Sequence, residues 1–138
     1  MPLITTTLLY SGGGDPTPLQ MPRAQESEVY DFIYNEIQDI KDNVNATEGS
    51  RTRANKYTAL ALQSRAMLYA GSIAKYNNLM GAPISTPGGE VGIPSGKAGD
   101  YYQKSLEASM AIMSTPEYEL YNPAGASKGE SLYKLFMY

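Results

Sequence analysis

Apolar residues in the first third of the chain recur at helical spacing. Val29, Phe32, Ile33, Ile37, Ile40 and Val44 follow at steps of three and four, the single stripe of a half-buried helix. The spacing predicts a helix over 25–44. Glu26 and Glu28 fall in its first turn, where carboxylates suit the helix dipole. A second helix is predicted over 52–76 and ends at Asn77-Asn78. Its apolar positions do not form one stripe. Ala54, Ala59, Ala61, Ala66, Ala70, Gly71 and Ala74 lie between Leu60, Leu62, Met67, Leu68 and Tyr69. Small residues spread in this way let neighbours approach on more than one side. The polar link over 43–50 is short, so the two helices are expected to form an antiparallel hairpin.

Residues 77–97 hold repeated Gly and Pro and predict a long loop, a kind of segment that is usually functional or mobile. A third helix is predicted over 98–114. Tyr102, Leu106, Ser109 and Met113 mark one of its faces, with Met110 beside it; Tyr101, Ala108 and Ile112 broaden the surface expected to be buried. Pro116 stops it, because a residue preceding proline avoids the helical region. Tyr118–Tyr121 reads as a short buried or extended piece, and 130–138 as a fourth helical or extended segment. Residues 1–24 form an extended and looped lead-in. The expected class is all-α, in a single domain over 1–138: lead-in, hairpin over 25–76, loop over 77–97, then helix and tail. Both ends break in mid-pattern, which reads as a piece of a longer protein.

Composition narrows the chemistry. The chain has no His and no Cys, so the commonest general base, thiol nucleophiles and most zinc sites are out of reach. The net charge is −3 with no basic run, which argues against a nucleic-acid partner. No stretch has the length and apolarity of a membrane span, and the start, Met1-Pro2-Leu3-Ile4, lacks the charged opening of a signal peptide. No cofactor or metal is expected; Asp15, a lone carboxylate among Gly and Pro, is too little for calcium. There are 12 tyrosines and no tryptophan. Most of the tyrosines are expected to pack in helix seams.

Acid pairs are weighed in the same way. Glu36 and Asp39 lie three apart on a helix surface, and Glu117 and Glu119 flank Tyr118 in a turn. A glycosidase pair comes from opposite sides of a cleft, so neither pair predicts catalysis. Gly12-Gly13-Gly14 lacks the Lys-Ser/Thr that follows in a phosphate loop and reads as a turn. Arg65 lies among Ala61, Leu62, Ala66, Leu68 and Tyr69. It is expected to be buried, and a buried guanidinium needs a partner; Glu36 or Asp39 is the expected one.

The stretch from Tyr57 to Tyr121 resembles one tetratricopeptide repeat with an enlarged inner loop. A single repeat cannot bury its own faces. Four segments in order resemble a family. They are Met1-Pro2-Leu3-Ile4-Thr5; Pro22-Arg23-Ala24 through Glu28-Val29-Tyr30 and Ile33; the Ala-rich helix with Arg65 and Tyr69; and Tyr101-Tyr102 through Ala108 and Ile112 with Tyr118–Tyr121. Together they are similar to the SusD/RagB glycan-binding lipoproteins of Gram-negative outer membranes.

That resemblance implies a non-catalytic protein of the cell surface, seated on a SusC-like TonB-dependent transporter and capturing oligosaccharides by aromatic stacking. It carries Arg65, Tyr69 and Tyr102 over as structural positions and no sugar-contact residue. Tyr10 and the 79–97 loop are the places where sugar contact is expected, if any lies in this stretch. The other expectation is a stand-alone tetratricopeptide-like module that binds a protein partner or forms a homo-oligomer through its open helix faces.

Overall fold

The structure, a computed structural model, describes residues 1–10, 12–44, 53–77, 79–116, 118, 121 and 127–137. These form an all-α fold. Helix α1 spans Glu26–Ile40, α2 Lys56–Asn77, α3 Ala98–Met113 and α4 Lys128–Met137, with 3-10 turns at Thr17–Leu19 and Ser95–Lys97. The described residues include no strand.

Helix ends follow local hydrogen bonds more than the apolar pattern. The N–H of Gln25 donates to Glu28 Oε2 at 2.9 Å at the start of α1, so the first-turn acid satisfies a backbone donor there. At the other end α1 stops at Ile40, short of Val44. The Asn43 amide donates to the carbonyl of Asp39 at 2.9 Å, and the Asn43 N–H to that of Ile40. These bonds close a tighter turn. Helix α2 starts later than predicted, at Lys56, because Asn55 caps it: Asn55 Oδ1 accepts from the N–H and hydroxyl of Thr58 at 2.9 and 3.0 Å. Thr52, the predicted start, lies outside the described residues.

Helix α3 lies antiparallel along α2. Tyr57 meets Thr115 near one end (3.1 Å), Ser64 meets Ser109 in the middle (2.7 Å), and Ser72 meets Tyr102 near the other (3.4 Å). Small residues set the spacing. A Cβ on Gly71 would stand 2.9 Å from the Tyr102 ring, so the glycine lets the ring lie against the α2 backbone. Helix α1 runs antiparallel on the flank of α2, with Lys56 paired to Asp42 at 2.6 Å and Gln63 accepting from Gln38 at 2.7 Å. The core is Met67, Ala70 and Ala74 of α2, Tyr101 of α3 and Ile93 of the loop, flanked by Tyr30 and Tyr34 of α1.

Two sequence expectations are corrected. On α3, Tyr101 and Ala108 are buried as expected and Ser105 joins them, whereas Leu106, Met110 and Met113, expected on or beside the packed face, are exposed. Serine is tolerated inside because the Ser105 hydroxyl donates to the Ser64 carbonyl at 2.8 Å. The more apolar face was therefore the wrong guide. Arg65 is also exposed, not buried. It lies two residues beyond the inward Gln63, about 200° round the helix. Its guanidinium stands 5.8 Å over the Tyr69 ring, and it makes no ion pair with Glu36, Asp39 or any other described carboxylate.

The long loop is a strap tied down at both ends. Asn77 clasps Ile84, with the amide donating to the Ile84 carbonyl at 2.8 Å and Oδ1 accepting its N–H at 2.7 Å. The Glu26 N–H donates to the Gly89 carbonyl at 2.8 Å, and the Gly92 N–H donates to Glu26 Oε2 at 2.6 Å. Gly92 sits at φ +88°, and a Cβ there would stand 2.9 Å from the Ile84 carbonyl. Only glycine fits both conditions. Beyond it Ile93 is driven into the core. Among the described residues helix α4 makes no packing contact with the other helices, and it exposes Tyr133, Leu135 and Phe136.

Candidate functional site

Among the described residues, a half-buried cluster of ionisable groups forms a pin between helices. The Tyr101 hydroxyl donates to Asp31 Oδ1 at 2.8 Å, and Lys97 Nζ lies 2.8 Å from Oδ2 of the same carboxylate. Lys104 Nζ stands 4.5 Å from the centroid of Tyr34 and 5.6 Å from that of Tyr101. Partial burial raises the Asp31 pKa, but the hydrogen bonds from Lys97 and Tyr101 and the nearby lysine charges outweigh it, so the net shift is downward. Burial, then the bond to Asp31 and its charge, push Tyr101 well above the ordinary tyrosine range. Tyr101 is 0 % exposed. Its hydroxyl is enclosed, whereas the Asp31 and Lys97 side chains keep 38 and 44 % of their surface exposed; the trio ties α1 to α3.

The other acids are on the outside. Glu36 and Asp39 are both exposed on α1, in agreement with a solvated face. Asp15 accepts from the N–H and hydroxyl of Thr17 at 2.9 and 2.6 Å. It serves as a turn former, and these bonds hold its carboxyl below the usual range. Glu117 and Glu119 lie outside the described residues. Among the described residues no three His, Cys, Asp or Glu side chains come close enough to hold a metal ion. No helix among them is long and apolar enough to cross a membrane.

Concave surface gathers where the strap crosses the start of α1 and the end of α2. On one side of the strap is a cleft of about 370 Å³ with Gln25, Asn77, Thr86 and Gly89 in its walls. On the other is a cleft of about 400 Å³ whose walls are Ile73, Tyr76, Met80, Ile84 and Val91, with Glu26 at one edge. The first offers hydrogen-bonding groups, the second an apolar floor with one aromatic ring. Thr86 is engaged by Glu90, and this bond lowers the pKa of that acid.

The residues singled out from the sequence do not converge on these clefts. The Tyr10 side chain is exposed in the lead-in, and its hydroxyl donates to the Gly14 carbonyl at 3.1 Å. Tyr102 lies in the α2–α3 seam against Gly71. Tyr69 is 54 % exposed on the outer side of α2. Arg65 stands beside it. Sequence reasoning missed two structural groups. One is the Asp31–Lys97–Tyr101 trio, whose members are far apart in sequence. The other is buried Gln63, which joins three helices by accepting from Gln38 and donating to the Lys104 carbonyl at 3.2 Å. Neither leaves a periodic signal. No protein-family model, curated protein or solved structure matches this chain.

Proposed function

We propose that this chain is the helical scaffold of a SusD-type, non-catalytic glycan-binding protein of the outer membrane, working with a SusC-like TonB-dependent transporter. The observation that carries the reading is the antiparallel α2–α3 pair, with the strap between its helices and α1 along its flank. This is the arrangement expected of a tetratricopeptide-like pair with an enlarged inner loop. The order of the four sequence segments supports it further. In this reading oligosaccharide contact belongs to the strap. Its polar cleft has the hydrogen-bonding groups, and Tyr76 on the other side has the flat apolar area that sugar rings stack on.

Calorimetric titration with a panel of α- and β-linked oligosaccharides tests the reading. Saturable binding to one linkage class, without release of reducing sugar, is expected. Binding should weaken on Tyr76→Ala and Asn77→Ala. No binding across the panel counts against glycan capture by this chain. A second reading, a tetratricopeptide-like module for a protein partner, is favoured by one observation: the outer side of α2 is apolar, aromatic and uncovered by the described residues.

A further inference from the structure

Helix α2 has apolar residues all round it; α3 packs on one side and α1 on a flank, and among the described residues the remaining side is left uncovered. Its outer side presents Leu62, Tyr69 and Tyr76, 56, 54 and 54 % exposed, at seven-residue spacing. They form a ridge about 21 Å long at 1.5 Å per residue. Leu68 adds to it, half exposed. A helix that is apolar on every side is ordinarily covered on every side.

The charge on this face says what covers it. Helix α2 contains Lys56, Arg65 and Lys75 and no acid in its 22 residues, although the whole chain has 14 acids and a net charge of −3. Lys56 is spent on Asp42. Arg65 and Lys75 meet no described carboxylate. Arg65 stands over Tyr69, and Lys75 stands 5.5 and 5.9 Å from the rings of Tyr76 and Tyr102. The rings hold both cations beside the ridge. They leave their charge unneutralised.

We propose that the outer face of α2 docks an acidic amphipathic helix of a protein partner. Leu62, Tyr69 and Tyr76 take its apolar heptad positions, and Arg65 and Lys75 pair with carboxylates on one flank. Other occupants fit less well. A second copy of this chain, face to face, brings Arg65 and Lys75 against the same cations. The chain's own α4 carries Lys128 and Lys134 against a single acid, Glu130. Both juxtapose like charges, which opposes docking.

The probes are two labelled helical peptides of 21 residues, with Leu at positions a and d. One has Glu at e and g, the other Lys. Non-specific attraction by the net negative chain favours the Lys peptide, so preference for the Glu peptide reports the face itself. Binding of the Glu peptide at least ~10-fold tighter at low salt is expected, weakening as salt rises. The double variant R65E/K75E, both positions exposed, should keep the helical circular dichroism spectrum and reverse the preference. Equal binding of the two peptides, no binding of either, or a preference that survives R65E/K75E overturns the proposal. So does a dimer in sedimentation velocity that Tyr69→Ser abolishes, because a second copy would then hold the face.

Discussion

The two sides of α2 have nearly the same amino-acid vocabulary and opposite fates. Inside, Met67, Ala70, Gly71 and Ala74 are buried against Tyr101, Tyr102 and Ile93. Outside, Leu62, Leu68, Tyr69 and Tyr76 stay about half exposed. The inner side is mostly small residues, and its neighbours fill the space left by their missing side chains. The outer side has the larger residues, and no described helix covers it; only Tyr76, at its end, borders the strap. On this helix, burial follows the fit between surfaces rather than the hydrophobicity of either one.

The largest expected effect tests the inner side. Met67→Ala empties a site with 0 % exposure and is expected to cost about 2–5 kcal/mol in urea denaturation. Leu68→Ala, on the adjacent outer position, is the matched control. A similar loss at both positions would erase the contrast.

Next is the strap that closes the end of the inner side. Gly92→Ala meets both a left-handed backbone and the Ile84 carbonyl, and should lower stability by about 1–3 kcal/mol. Gly96→Ala, at a position with open space and ordinary backbone, should be close to neutral. Hydrogen exchange would show faster opening of the Gly92 and Ile93 amides in Gly92→Ala alone.

The polar pin gives a smaller, pH-dependent effect. Tyr101→Phe strips a hydrogen bond from Asp31 and is expected to cost about 1–2 kcal/mol near neutral pH. The folded-state pKa of Asp31 lies below its ordinary value. Its stabilisation is therefore complete above the unfolded pKa, about 4, and is lost as pH falls through the lower folded value. The melting temperature of the parent should fall more steeply below pH 4 than that of Asp31→Asn. Equal slopes would mean that Asp31 gains nothing from Lys97 and Tyr101.

The smallest effect sharpens the outer side. Leu62→Ala and Tyr69→Ser should shift stability by no more than about 0.5 kcal/mol, as surface substitutions do. A much larger loss by thermal melting would mean that this face is covered in solution.

The helices were legible because their signals are local. Stripes at three and four residues marked α1, the Gly and Pro run marked the strap, and Pro116 marked the end of α3. The Asn55 cap is equally local, but the pattern of small and apolar residues runs through it and hides it. The inward face of α3 was legible at Tyr101 and Ala108 but not at Ser105. Ser105 is worth burying because the Ser64 carbonyl stands opposite to accept from its hydroxyl, and nothing near it in sequence records that. Arg65 was misplaced for a related reason. Its neighbours in sequence are apolar, but a residue's surroundings on a helix are set by what faces it in space.

The sequence by itself determined the class of the fold, the extent of most helices, the position of the strap and the absence of histidine and cysteine chemistry. These depend on propensity, periodicity and composition, which act over a few residues. Tertiary structure alone decided which side of α2 is buried, that Ser105 of α3 turns inward, that Asp31, Lys97 and Tyr101 meet, that Gln63 joins three helices, and that a cationic, aromatic side of α2 stays open. Each of these needs two segments far apart in the chain to come together. Their energies depend on complementary shape and on satisfied polar groups, and no local pattern encodes either.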